Sequence, residues 1–168
     1  MNFRRLQELS AHFFEADDAG NLREKYAALD PATLPPLVLA YLGDACFHLF
    51  IRRRLLAFDR SNIQLLAEFS AKLVSAAWQA KAYHAIADQL DEREREIFRR
   101  GRNAQSRVPK SASVHDYRIS TGVEALLGEL YLTGKTQRLD ELSELMFSAM
   151  TREIMRAKGN DVFENRTK

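Results

Sequence analysis

Leu37 to Ala57 reads LVLAYLGDACFHLFIRRRLLA, and from Leu37 to Ile51 its polar side chains are Tyr41, Asp44 and His48. As a helix it is apolar almost all round, which assigns it to the middle of a fold. It is too short, and too interrupted by charge, to span a membrane, which takes about 20 apolar residues. On a helical wheel Asp44 is surrounded by Leu37, Ala40, Tyr41, Phe47, His48 and Ile51. An unpaired carboxylate there is costly, and Gly43 beside it weakens the helix by about 1 kcal/mol relative to Ala. Two broken local rules at adjacent positions mark either a functional acid or a structural Asp–Arg pair beside a packing notch.

Outward from this stretch the chain reads as helical throughout. Its 168 residues hold 4 Pro and 7 Gly, and 25 Lys and Arg stand against 23 Asp and Glu for a net charge of +2. One domain with a real core is expected. The single cysteine, Cys46, excludes an intramolecular disulfide framework and suits a reducing cytoplasm. No Cys and His spacing suggests zinc, and the N-terminus lacks the apolar run of a signal peptide. A soluble, intracellular protein is expected.

Apolar periodicity predicts an amphipathic helix over Phe3 to Glu15 and a short one over Leu22 to Leu29. After the central helix a helical run over Ile63 to Leu90, broken near Ser70 to Ser75, has Leu66, Phe69, Leu73, Ala77, Ala80, Tyr83 and Ile86 as its buried stripe. A charged helix follows at Asp91 to Arg100. Then Arg99 to Lys110, RRGRNAQSRVPK, carries five cations and no acid. Gly101, Asn103, Ser106 and Pro109 argue against helix beyond about Arg102, and clustered cations are the footprint of phosphate binding.

A helix from about Asp116 to Thr133, with Ser113 to Asp116 as its cap, repeats the anomaly of the central one. Glu124 shares an apolar face with Tyr117, Thr121, Leu127, Gly128 and Tyr131, while Glu129 points about 140° away and is expected to be exposed. A closing helix runs from Leu139 to Ile154, with a disordered tail from Lys158. If the two acid-bearing helices pack together, their carboxylates converge and call for a cation. Oxygen-only ligation favours Mg²⁺, with Mn²⁺ as a substitute. Beside a basic segment, that chemistry points to a metal-dependent phosphoesterase or nuclease.

The residues also carry a resemblance. Leu39, Leu42, Gly43, Asp44 and Ala45 resemble the ribonuclease III signature Glu-Arg-Leu-Glu-Phe-Leu-Gly-Asp-Ala. Glu124 to Gly128 with Tyr131-Leu132 is similar to that family's second acidic motif. Arg100 to Ser106, Val108-Pro109-Lys110 and Tyr117-Arg118 resemble its compact bacterial branch, Mini-ribonuclease III. Ala40 and Thr121 stand where the full enzymes have two further acids, which is the pattern of the compact branch, and no double-stranded-RNA-binding domain is expected after the nuclease domain.

The resemblance implies an all-α, single-domain helical bundle, at residues 31–157, between an N-terminal extension (1–30) without an assigned role and the tail (158–168). It implies a homodimeric endoribonuclease of double-stranded RNA that matures the ends of large-subunit (23S) ribosomal RNA precursors, with no membrane association. Asp44 and Glu124 would be catalytic and hold Mg²⁺. Arg99, Arg100, Arg102, Asn103, Arg107, Lys110 and Arg118 would bind RNA. The dimer would use the side of the central helix bearing Leu42, Cys46 and Phe50. A catalytically silent RNA-binding module and a helical interaction domain without an RNA role remain the alternatives.

Overall fold

The computed structural model describes residues 3–5, 7–8, 14–16, 18–19, 22–24, 30–106, 108–110 and 112–164. The chain divides into two compact units, residues 1–33 and 34–168. In the first, residues 3–5 and 7–8 are helical. The expected helix does not reach Glu15: Phe14–Ala16 (β1) pairs antiparallel with Leu22–Glu24 (β2), Phe14 opposite Glu24. The intervening sequence, rich in Asp, Gly and Asn, favours a chain reversal over a continuing helix. The short helix expected to begin at Leu22 is therefore replaced by a strand as far as Glu24; residues 25–29 lie outside the described ones.

The second unit is all-α. Its helices are α1 (Pro36–Leu55), α2 (Ile63–Leu73), α3 (Ala76–Tyr83), α4 (Glu92–Asn103), α5 (Val114–Leu132) and α6 (Thr136–Glu164). Their ends follow local chemistry. Pro36 opens α1, where no amide bond is lost. Asn62 and Ser113 cap α2 and α5 through their side chains. Asp91 and Glu94 form a capping box on α4, and Gly134 ends α5 at a φ of 71°. The expected break near Ser70 to Ser75 falls at Val74 and Ser75. α6 continues to Glu164, past the point where a disordered tail was expected.

The middle of this unit is α5, not α1. Between Ile119 and Leu130 only Glu124 escapes full burial. α1 buries Leu39, Ala40, Phe47, Phe50 and Ile51 on one side and exposes Tyr41, Ala45 and Leu49 on the other. Within this unit, an all-round apolar helix thus keeps one side uncovered by the described residues. Phe69 (42% exposed) and Ala77 drop out of the expected buried stripe; for Ala77, beyond the break at Val74–Ser75, the helical phase has been interrupted. α6 is bound back by charge: Arg138 Nε donates to Glu94 Oε1 at 2.9 Å, and Arg53 and Arg54 of α1 pair with Asp140 and Glu144. Two of the three cations ending α1 are thereby committed within the fold.

Candidate active site

Asp44 on α1 and Glu124 on α5 come together where the two helix backbones touch. A Cβ on Gly43 would overlap the Glu124 carbonyl oxygen and lie 2.7 Å from the Gly128 amide nitrogen. A Cβ on Gly128 would overlap the Leu39 carbonyl oxygen and lie 3.1 Å from the Gly43 nitrogen. Each glycine is the notch into which the other helix fits, and each adjoins or lies one turn from an acid. The crossing therefore sets the acids' separation through backbone contact, which is stiffer than side-chain packing.

The two carboxylates have different surroundings. Asp44 is 48% exposed on its side chain, and Oδ1 lies 3.3 Å from His48 Nε2, one turn on. Glu124 is more enclosed, and its Oε1 accepts a hydrogen bond from Gln79 Nε2 on α3 at 3.0 Å. Its carboxyl is pushed up to about 7, chiefly by burial and then by the Asp44 charge, against the pull of the Gln79 bond. Among the described residues no arginine or lysine pairs with either acid, so the structural Asp–Arg reading finds no partner there. Two carboxylates without a lysine or arginine partner among the described residues, with the His48 ring beside Asp44, form a mainly hard oxygen donor set. Among the described residues no group of three or more such acids, His or Cys could hold a metal ion. Two carboxylates with water and substrate phosphate completing the shell is a fit for Mg²⁺.

Glu129 corrects the sequence reading. It is 4% exposed rather than solvated, with Arg93 Nη2 of α4 3.6 Å from Oε1. α5 is enclosed on nearly every side, so pointing away from Glu124 leads into another interface and not to water. Ala40 and Thr121 are also buried, and Thr121 Oγ1 donates to the Tyr117 carbonyl.

The basic residues divide. Arg99, Arg102, Asn103, Lys110 and Arg118 are exposed. Arg99, Arg102 and Asn103 belong to the end of α4, which closes at Asn103, within a residue of the limit expected near Arg102. Gly101 is buried because α5 approaches it: a Cβ would sit 2.8 Å from the Thr121 carbonyl oxygen. Arg100 is turned inward, its Nη2 donating to the Leu34 carbonyl at 3.2 Å, so it anchors the chain ahead of α1. Ser106 Oγ bonds the Tyr117 hydroxyl at 3.2 Å, which ties the loop to α5. Arg107 lies outside the described residues.

Residues 37–135 match the model of the ribonuclease III domain. The chain belongs to the ribonuclease III family. Within it, the chain falls in the Mini-ribonuclease 3 branch. It is 46% identical over 114 residues to the Mini-ribonuclease 3 of Symbiobacterium thermophilum, covering 67% of this chain and 88% of the relative. It is 45% identical over 114 residues to that of Thermoanaerobacter sp., covering 67% and 80%. The crystal structure of protein FN1578 from Fusobacterium nucleatum superposes with a TM-score of 0.65 at 31% identity, covering 72% of this chain and 98% of that one. The ribonuclease III match contains α1 to α5 and hence both acids, so this is a ribonuclease III-type domain whose acid pair lies at its glycine crossing. No described helix is long and apolar enough to cross a membrane. Gln79 is the site residue that sequence reading missed: one uncharged amide between Trp78 and Ala80 is indistinguishable there from a surface glutamine.

Proposed function

We propose that this protein is a Mg²⁺-dependent endoribonuclease of double-stranded RNA, acting in the cytoplasm on the ends of precursor 23S ribosomal RNA. The observation that carries this reading is the meeting of Asp44 and Glu124 at the Gly43–Gly128 crossing of a ribonuclease III domain. Asp44 and Glu124 would hold Mg²⁺, or Mn²⁺ in its place, which supplies Lewis acidity and a more acidic water. Asp44, half-exposed, meets the incoming backbone; Glu124 is fixed from behind by α3. With two acids rather than four, the site leaves coordination positions for the scissile phosphate. The assay is cleavage of a labelled duplex with Mg²⁺ and with chelator; duplex left intact under both conditions would refute the reading. Mapping RNA ends in cells depleted of the protein tests the ribosomal substrate, and unchanged 23S ends would refute it.

Arg99, Arg102, Asn103, Lys110 and Arg118 would grip the sugar–phosphate backbone, together with Arg107; A-form RNA hides base identity in a deep groove. Arg100, turned inward, supports the chain more than the ligand. Replacing Arg99 and Arg102 by Ala should weaken binding to unrelated duplexes alike and lower the salt slope by about 0.9 for each phosphate no longer neutralised. An unchanged slope would leave those cations as ordinary surface.

The working unit would be a homodimer. Tyr41 (83% exposed), Ala45 and Leu49 (70% exposed) form an uncovered apolar row along α1, continued by Val38. This row replaces the face first expected: Phe50 is buried in its own chain, and Leu42 and Cys46 are half-buried. Light scattering at micromolar concentration should return a dimer mass, and Leu49→Glu a monomer. A monomeric wild type would remove the dimer.

A further inference from the structure

α2 and α3 would form one helix but for the break at Val74 and Ser75. Beyond it, the Trp78 and Gln79 amides both donate to the Ser75 carbonyl, at 3.0 and 2.9 Å. In an unbroken helix the Trp78 amide would bond Val74. The Val74 carbonyl is instead taken by a side chain: Gln79 Nε2 donates to it at 3.0 Å. The same nitrogen donates to Glu124 Oε1 at 3.0 Å. Gln79 is 1% exposed, and its Oε1 has no partner among the described residues.

A carbonyl can only accept, so Val74 fixes the sense of the amide and turns its NH₂ towards Glu124. Flipping the amide would set oxygen against the Val74 oxygen and bring a second oxygen to the carboxylate. An unpaired buried amide oxygen destabilises a fold; a leucine of similar size would fill the space without it, but would leave the Val74 carbonyl and Glu124 Oε1 without their donor. Packing alone therefore does not account for Gln79.

We propose that Gln79 is a positioning residue of the active site: clamped by the carbonyl that the α2–α3 break releases, it pins Glu124 at Oε1 and leaves Oε2 to ligate. This rests on Glu124 being a metal ligand, as proposed above. The break between two helices thereby becomes part of the catalytic apparatus. Outer partners of this kind orient ligating carboxylates that would otherwise sample several rotamers, and their loss weakens metal affinity or activity by about 10- to 100-fold.

The test is Gln79→Leu, with Gln79→Met as a second variant that keeps side-chain length without the donor. Cleavage of duplex RNA should lose about 10- to 100-fold in kcat with KM changed less than about threefold. Mn²⁺ binding to RNA-free protein, followed by electron paramagnetic resonance, should weaken about tenfold. Both variants should stay folded at the assay temperature with a modestly lowered melting temperature, since losing the unpaired oxygen offsets only part of leaving the Val74 carbonyl without its donor. In a Glu124→Gln background, Gln79→Leu should leave residual Mn²⁺ binding unchanged. Wild-type kcat and Mn²⁺ affinity in Gln79→Leu, beside an inactive Glu124→Gln, would overturn this inference alone. Loss of activity in step with loss of folding in both variants would reduce Gln79 to a packing residue and overturn it too. A Glu124→Gln protein that cleaves normally would remove the ligand assignment itself.

Discussion

Asp44→Asn and Glu124→Gln should each reduce cleavage of duplex RNA by about a thousandfold or more, which corresponds to roughly 4 kcal/mol of transition-state stabilisation. Each keeps the shape of the side chain and removes its charge. Binding of RNA in the absence of metal should change little, because the proposed grip is provided by cations elsewhere. Glu124→Gln should also change stability, in a direction fixed by the carboxyl's surroundings. In the folded protein that carboxyl titrates at about 7 against an ordinary value of 4.5. Below pH 4.5 it is protonated in both states and the full stability is present. Between pH 4.5 and 7 the unfolded chain releases its proton first, so the metal-free protein loses up to roughly 3 kcal/mol, and the loss is complete above pH 7. Glu124→Gln should flatten that decline and raise the melting temperature at pH 8, with little effect at pH 4.5. Thermal scans across this range, beside single-turnover cleavage, check both halves. Wild-type cleavage by Asp44→Asn would overturn the catalytic assignment, and an unaltered pH profile in Glu124→Gln would show that the carboxyl is solvated rather than enclosed.

Gly43→Ala should be the most disruptive single methyl in the protein. The added carbon would overlap the Glu124 carbonyl oxygen, which is backbone inside the most buried helix. No rotamer change relieves that overlap, so α1 and α5 must separate. Overpacking of this kind typically costs about 1–3 kcal/mol where side chains can yield; here about 3 kcal/mol or more is expected. Gly128→Ala should behave alike, its methyl falling on the Leu39 carbonyl. Urea titration would measure the loss. In any fraction that remains folded, cleavage should fall further than RNA binding, because the crossing that spaces Asp44 and Glu124 has opened. A Gly43→Ala protein as stable as wild type would mean that the two backbones do not touch at this point.

The sequence determined more of this protein than its length suggests. Apolar periodicity and turn residues placed α1, α4 and α5 to within a few residues, because helix ends obey local chemistry, as the structure shows at Pro36, at the Asp91 and Glu94 box and at Ser113. Asp44 and Glu124 stood out because an acid on an apolar helix violates a local rule that needs no partner to detect. The neighbouring glycines signalled close approach for the same reason. Family motifs were legible as ordered strings.

Other features required the third dimension. Periodicity reports that a face is apolar, not what covers it, so α1 read as the central helix although α5 occupies that place and Tyr41 and Leu49 are left outside. The direction of Glu129 follows correctly from helical geometry, but only the packing of α4 shows that this direction leads to Arg93 and not to water. Strand pairing at Phe14–Ala16 depends on a partner across a turn, which a helical wheel cannot register. Gln79 depends on groups separated along the chain: a carbonyl freed by a break on one side of it and a carboxylate 45 residues away on the other. Local rules fix helices and flag misplaced charges because their physics lies within one turn; burial, pairing and the orientation of a catalytic acid are decided between helices.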